Sequence, residues 1–171
     1  MYTSTKTFTG LPCAHRQWRD EGHCRLVHGY DRTVIMTFGA SELDDKEWVV
    51  DFGGLKEVKK WLEDKFDHTL LINEDDPMRS MFEKHDGDLW DLTIMPNVGM
   101  EASSKYIFDH VNPMIEEMTE GRCWVVSVEC RENVKNSAIY TSERPALTIR
   151  EISDYQNVVN HGVDVIGDEN E

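Results

Sequence analysis

From Cys123 to Glu132 the chain alternates residue by residue: Trp124, Val126, Val128, Cys130 and Glu132 fall on one side, and Val125, Ser127, Glu129 and Arg131 on the other. Successive side chains of an extended strand point to opposite faces, so this spacing predicts a strand with one buried and one solvated face. Tyr30 to Phe38 repeats the period, with Tyr30, Arg32, Val34, Met36 and Phe38 on one face and Asp31, Thr33, Ile35 and Thr37 on the other. A sheet with one apolar face must be covered. The cover is legible between these strands, where Leu55, Val58, Leu62 and Phe66 recur at helical spacing with Trp61 beside them. A second helix is expected from Gly99 to about Glu117, with Ala102, Tyr106, Val111, Met114 and Met118 on its buried face and a kink at Pro113.

Shorter segments fill the gaps. Residues 2–9 read as a strand that runs into a loop at Gly10-Leu11-Pro12, and Gly39 to Lys46 as a polar turn. Trp48 to Phe52 reads as a short strand, the hairpin partner of Tyr30–Phe38. Residues 73–91 are acidic and irregular around Pro77, with a short helix at Met78–Lys84. Asn133 to Asn136 makes a turn, and Ser137 to Ile149 returns as the paired strand. Four strands and two helices in the order ββααββ imply an α+β fold, a four-stranded antiparallel sheet with two helices packed on one face. One domain is expected over residues 1–154, followed by an acidic tail over 155–171.

Composition excludes several function classes. Thirty-three acidic against eighteen basic residues give a formal charge of −15, which opposes approach to phosphodiester backbones, and no basic stripe offsets it, so no nucleic-acid partner is expected. No apolar run approaches the roughly 20 residues of a membrane span, and residues 1–10 lack the regions of a signal peptide; a cytoplasmic protein with no membrane partner is expected. Cys13, Cys24, Cys123 and Cys130 show no CxxC spacing, so free thiols are expected. Basic residues gather locally, because Arg16, Arg19, Arg25 and Arg32 all flank one histidine-rich stretch. That is the setting for an anionic small molecule, or simply a solvated loop.

The histidine-rich stretch carries the chemistry. His15 and His28 are candidate metal donors, and residues two apart on a strand share a face, so Tyr30 stands where a second imidazole after His28 would complete the set. Three arrangements remain open: a metal on His15 and His28 with Tyr30, a metal on them with His23 swung inward, or a degraded site. Cys24 lies between Gly22-His23 and Arg25 in a polar, electropositive loop of the kind that makes a thiol reactive. Asp67-His68 follows the first helix, where a carboxylate can orient an imidazole for proton transfer near neutral pH. Glu132 ends an otherwise apolar strand face and needs a donor to offset its desolvation.

Ala14-His15, Gly22-His23-Cys24, His28-Gly29-Tyr30, Val50-Asp51-Phe52, Leu55-Lys56, Phe66-Asp67-His68, Ile72-Asn73, Gly99-Met100-Glu101, and Glu132-Asn133 with Ala138 and Tyr140 occur in this order. The series resembles the 6-pyruvoyl- and 6-carboxytetrahydropterin synthase family of the tunnelling fold, over roughly residues 1–140. The family binds zinc through three histidines, and Tyr30 departs from that pattern. The resemblance implies a lyase acting on 7,8-dihydroneopterin triphosphate. It also implies Cys24 as base, Asp67 and His68 as a proton relay, Glu132 as anchor of the pterin ring, Glu101, Arg16 and Arg25 as further substrate contacts, and His15, His28 and Tyr30 around Zn2+. The short Cys24 to His28 interval and the preceding Gly22-His23 favour the carboxy branch, which makes 6-carboxy-5,6,7,8-tetrahydropterin for queuosine-type deazapurine synthesis. The pyruvoyl activity, or a pterin- or purine-binding protein without turnover, are the alternatives. Subunits are expected to close sheet edges against one another as a homo-oligomer, trimer or hexamer.

Overall fold

The computed structural model describes residues 1–142; the end of the expected return strand and the acidic tail lie outside the described residues. The elements are β1 (Tyr2–His15), β2 (His28–Ala40), α1 (Lys56–Phe66), β3 (Thr69–Asn73), α2 (Arg79–Lys84), β4 (Asp91–Met95), α3 (Met100–Met118), β5 (Cys123–Arg131) and β6 (Ser137–Thr141). They form one six-stranded sheet in the order β4-β3-β1-β2-β5-β6. The β1–β2, β2–β5 and β5–β6 pairs are antiparallel, whereas β3 runs parallel to both β1 and β4. The fold is α+β as expected, with six strands rather than four, and the short helix expected at Met78–Lys84 forms as α2 beside the two longer ones.

Side-chain chemistry explains the additions. β3 is Thr-Leu-Leu-Ile-Asn and every residue of it is buried, because it is flanked by strands on both edges and covered on both faces. A strand of that kind carries no alternation to detect. Leu71 joins the main core, while Leu70 and Ile72 pack on the other side of the sheet with Phe82 of α2, Ala14, Trp90 and Leu92. The expected strand at Trp48–Phe52 does not form. Both edges of β2 are already taken by β1 and β5, so the segment has no ladder to join and instead tucks Val49, Val50 and Leu55 into the core. Asp44 holds this loop by accepting from the backbone N–H groups of Lys46 and Trp48 at 2.9 and 2.8 Å.

Two bulges shift the faces. β1 continues through the expected loop at residues 10–12 with a register shift between Phe8 and Leu11, made possible by Gly10 at φ 75°. In β5 the register slips opposite Thr37 and Phe38, leaving Val126 unmatched. Cys123 and Val125 therefore join Val128 and Cys130 in the core, and Trp124 and Val126 turn to the other face, across from Gly39. The unbroken face Trp124-Val126-Val128-Cys130 expected from the alternation is corrected accordingly.

α1 and α3 pack on one face of the sheet. α1 buries Val58, Leu62 and Phe66, as its stripe requires. α3 buries Ser103, Ser104, Ile107, Val111 and Ile115, whereas Met118, expected inside, is exposed. The serines are inside because they have partners there: Ser103 Oγ accepts from Arg32 at 2.8 Å, and Ser104 Oγ donates to the Ala138 carbonyl at 3.0 Å. Phe66 sits at the junction of α1, Trp61 and the Arg32 guanidinium, 5.8 Å from its ring centre. Phe66→Ala is expected to destabilise the fold by about 3–5 kcal/mol through cavity formation, a fall of roughly 6–20 °C in Tm for a chain of this size. Thermal melts followed by circular dichroism check this, and a shift below a few degrees rejects Phe66 as a core anchor.

Candidate metal centre and proton-relay site

The antiparallel register of β1 and β2 sets His15, the last residue of β1, directly opposite His28, the first of β2. Gly29 permits the close approach, since a Cβ there would lie 2.8 Å from the Cys13 carbonyl oxygen. The two imidazole centroids are 4.5 Å apart. Tyr30 follows on the same face, 6.2 Å from the ring of His15 and 5.7 Å from that of His28. Glu132 arrives from the end of β5, held by a turn in which its N–H donates to the Asn136 carbonyl at 3.1 Å and Asn136 Nδ2 donates to its carboxylate at 3.4 Å. Donor atoms of His15, His28 and Glu132 all lie within 4.8 Å of one another.

The protonation states suit a cation. His15 is 6% exposed, and its Nδ1 has no hydrogen-bond partner among the described residues. Burial, then the charges of Arg32 and His28, push its pKa down to about 3, so the ring is neutral and its lone pair free at physiological pH. His28 Nδ1 lies 2.7 Å from the Leu26 carbonyl. A carbonyl only accepts, so Nδ1 carries the proton and Nε2 presents its lone pair, the arrangement a ligating histidine needs. The Glu132 carboxylate beside Tyr30 is the main cause that raises the phenol pKa, with burial, Cys24 and a hydrogen bond to Glu132 adding to it. The protonated phenol is thus favoured over the phenolate.

Cys24 lies in a single 3-10 turn over His23–Arg25, tied down by its N–H to Asp20 Oδ2 at 3.0 Å and by its carbonyl to the Gln17 N–H at 2.8 Å. It is half-buried and close enough to Tyr30 to influence it. His23, in the same turn, is exposed and lies outside the metal-capable group.

Asp67 and His68 end α1. The His68 N–H donates to the Pro12 carbonyl at 2.7 Å, its backbone adopts φ 59°, and its Nδ1 is 2.5 Å from Asp67 Oδ1. A left-handed histidine is uncommon and costs conformational energy, a pattern concentrated at functional positions. The imidazole is exposed and stands outside the His15–His28–Glu132 group. Both His68 and Tyr30 nevertheless line one cavity of about 730 Å3, together with Val27, Phe82, Leu89 and Trp90. That shared wall brings His68 and Tyr30 onto one cavity.

The arginines divide. Arg16 is engaged by buried Asp76, with Nε and Nη2 donating at 2.7 and 2.9 Å to the two carboxylate oxygens. This bidentate clamp commits Nε and Nη2 of Arg16 to a partner within the chain. Arg25 is exposed, and among the described residues one long bond of 3.5 Å to the Glu21 carbonyl engages it. Glu101 is exposed in the first turn of α3. Arg32, grouped in the sequence with the basic residues that flank the histidines, is instead 1% exposed, bonded to Ser103 Oγ and the Val98 carbonyl. An arginine in phase with Val34, Met36 and Phe38 was the available signal of a buried charge.

Residues 4–143 match the family described as 6-pyruvoyl tetrahydropterin synthase. A protein of Aquifex aeolicus named 6-carboxy-5,6,7,8-tetrahydropterin synthase is 28% identical over 160 residues, covering 81% of this chain and 97% of the relative. The Rickettsia felis protein of the same name is 33% identical over 75 residues, 39% of this chain and 54% of the relative. The chain thus spans about half the length of that relative. The crystal structure of the Plasmodium vivax 6-pyruvoyl tetrahydropterin synthase superposes with a TM-score of 0.59 at 18% identity, over 83% of this chain and 99% of the other. With the matched region spanning all three helices, the six strands from Ser4 onward and the paired histidines, the chain belongs to the 6-pyruvoyl tetrahydropterin synthase family.

Proposed function

We propose that this chain is a lyase that converts 7,8-dihydroneopterin triphosphate to 6-carboxy-5,6,7,8-tetrahydropterin, in the cytoplasm and on the route to queuosine-type deazapurines. The relatives' names support the reaction class, and the observation that carries the site is the buried, neutral His15 facing His28, its Nδ1 without a hydrogen-bond partner among the described residues. Zn2+ fits these residues: two imidazoles with free lone pairs, a carboxylate within reach and His28 oriented by a carbonyl. When bound, the ion supplies Lewis acidity that polarises the hydroxyls of the substrate side chain.

The chain's own residues do the following. Cys24, half-buried beside Tyr30, takes the proton released from the side chain. His68 exchanges a proton at Nε2 on the cavity side while Asp67 holds its Nδ1–H, which fixes the tautomer. Arg25 meets the triphosphate. The ring's amino group and adjacent N–H form a two-donor edge that one carboxylate can accept. Glu101 and Glu132 are the carboxylates for it, and only Glu101 stands clear of the metal group. Among the described residues no helix is long and apolar enough to cross a membrane, and β4 and β6 are the outermost strands, the edges through which copies join as a homo-oligomer.

Incubation of the full, zinc-supplemented chain with 7,8-dihydroneopterin triphosphate, followed by mass analysis, is expected to yield 6-carboxy-5,6,7,8-tetrahydropterin. A 6-pyruvoyl product instead would assign the sister activity. Binding without turnover would make the chain a pterin-binding protein.

A further inference from the structure

We propose that Gln17 is a positioning residue for Cys24, locked by a ring of side-chain amides that ties the Cys24 turn to the start of α3. The inference rests on the reading of Cys24 as the base, and it gives a use to the pair Ile72-Asn73, which that reading leaves idle. Gln17 donates its backbone N–H to the Cys24 carbonyl at 2.8 Å. Its side chain faces the other way. Gln17 Nε2 donates to Asn97 Oδ1 at 3.1 Å, and Gln17 Oε1 accepts from Asn73 Nδ2 at 3.3 Å. Asn73 Oδ1 in turn accepts from the Val98 N–H at 2.8 Å, and Asn97 Oδ1 from the Gly99 N–H at 2.9 Å. Three amides thus close on two successive backbone donors just before Met100, the first residue of α3.

A backbone N–H only donates, so the amide oxygens of Asn73 and Asn97 must be the atoms that face Val98 and Gly99. Asn73 Nδ2 is then left to meet Gln17, which has to turn its oxygen towards Asn73 and its nitrogen towards Asn97. One orientation of Gln17 satisfies the ring, and the flipped one breaks both of its bonds. Asn73 and Val98 are fully buried, where an unmatched polar group is costly, so the ring specifies a single arrangement. The residues on either side of Gln17 are fixed from the same direction: Arg16 donates to Asp76, and Trp18 Nε1 to Asp75 at 3.2 Å. Three consecutive side chains after His15 are therefore held by the end of β3 and the turn that follows it. The Cys24 N–H goes to Asp20, and the Asp20 N–H to the Gln17 carbonyl, so the turn is built on Gln17 and takes its position from the ring.

The test is steady-state turnover of 7,8-dihydroneopterin triphosphate by the full, zinc-supplemented chain. Gln17→Glu keeps the backbone bond and the acceptance from Asn73 but sets a carboxylate oxygen against Asn97 Oδ1. It is expected to lower kcat by about 100-fold, the scale of a misplacement of about 1 Å at a reacting group, with KM and zinc content close to wild type. Asn97→Asp keeps both of its acceptances and should lose far less. A double-mutant cycle with Cys24→Ala shows whether Gln17 acts through the thiol. Gln17→Glu should add little to the loss from Cys24→Ala, because residues that act as a unit are not additive. Full and independent losses from the two substitutions would overturn the proposal while leaving the base reading intact. So would a rise in KM at wild-type kcat, which places Gln17 in substrate binding, or a lowered Tm at wild-type kcat, which makes the ring structural only. Asn73→Asp opens the ring from its other side and serves if Gln17→Glu misfolds. Wild-type kcat in Cys24→Ala would remove the base reading and this proposal together.

Discussion

Replacing His15 with Ala is expected to strip the metal from the protein. Its affinity should fall by more than the roughly 10–100-fold that loss of an outer-shell partner costs, because a direct donor disappears and the remaining ligands cannot rearrange around the buried gap. His15 is 6% exposed and its free Nδ1 has no other partner, so the change leaves a cavity lined by strand ends rather than a water-filled substitute. Elemental analysis after dialysis measures the loss, and circular dichroism of the metal-free forms separates it from unfolding. His23→Ala is the control. It should keep its metal, since His23 is exposed in the turn that carries Cys24. Metal retained in His15→Ala would reject the centre, whereas metal lost in His23→Ala would show that the loop swings inward to ligate.

His68→Ala should lower kcat by about 10²–10⁴, the usual contribution of a positioned general acid or base, with zinc content unchanged. The second half of that expectation is the discriminating one. His68 lies outside the metal-capable group but shares the cavity wall with Tyr30, so a relay role moves turnover without moving the metal. Asp67→Asn should keep the ring in place and lose much of the same rate, because the amide no longer favours the proton on Nδ1. A His68→Ala enzyme with wild-type kcat would place proton transfer elsewhere, with Cys24 as the remaining group near Tyr30.

Local spacing along the chain was enough for part of this structure. The stripe Val58-Leu62-Phe66 built α1, and the alternation Arg32-Val34-Met36-Phe38 built the buried face of β2, whereas β1 ran on to His15, past the strand end expected at residue 9, and β2 began at His28. Tyr30 could be read as the residue standing in the place of a third histidine. Tertiary structure alone decided the facts that depend on which edges are free and which polar groups find partners. β3 was hidden because burial on both faces removes alternation, and the strand expected at Trp48–Phe52 failed because β2 already had two neighbours. The bulge at Val126 redirected Trp124, which no local pattern encodes. Arg16 looked available until Asp76, sixty residues away, was brought against it. The same holds for the site. Glu132 looked like a strand-end carboxylate awaiting a ligand, and the register of β2 against β5, together with the turn after it, set it among the imidazoles instead. Spacing along a chain fixes which face a side chain takes. Its partner is fixed only when distant strands pair, because the free energy of a buried charge or donor depends on the groups that arrive to meet it.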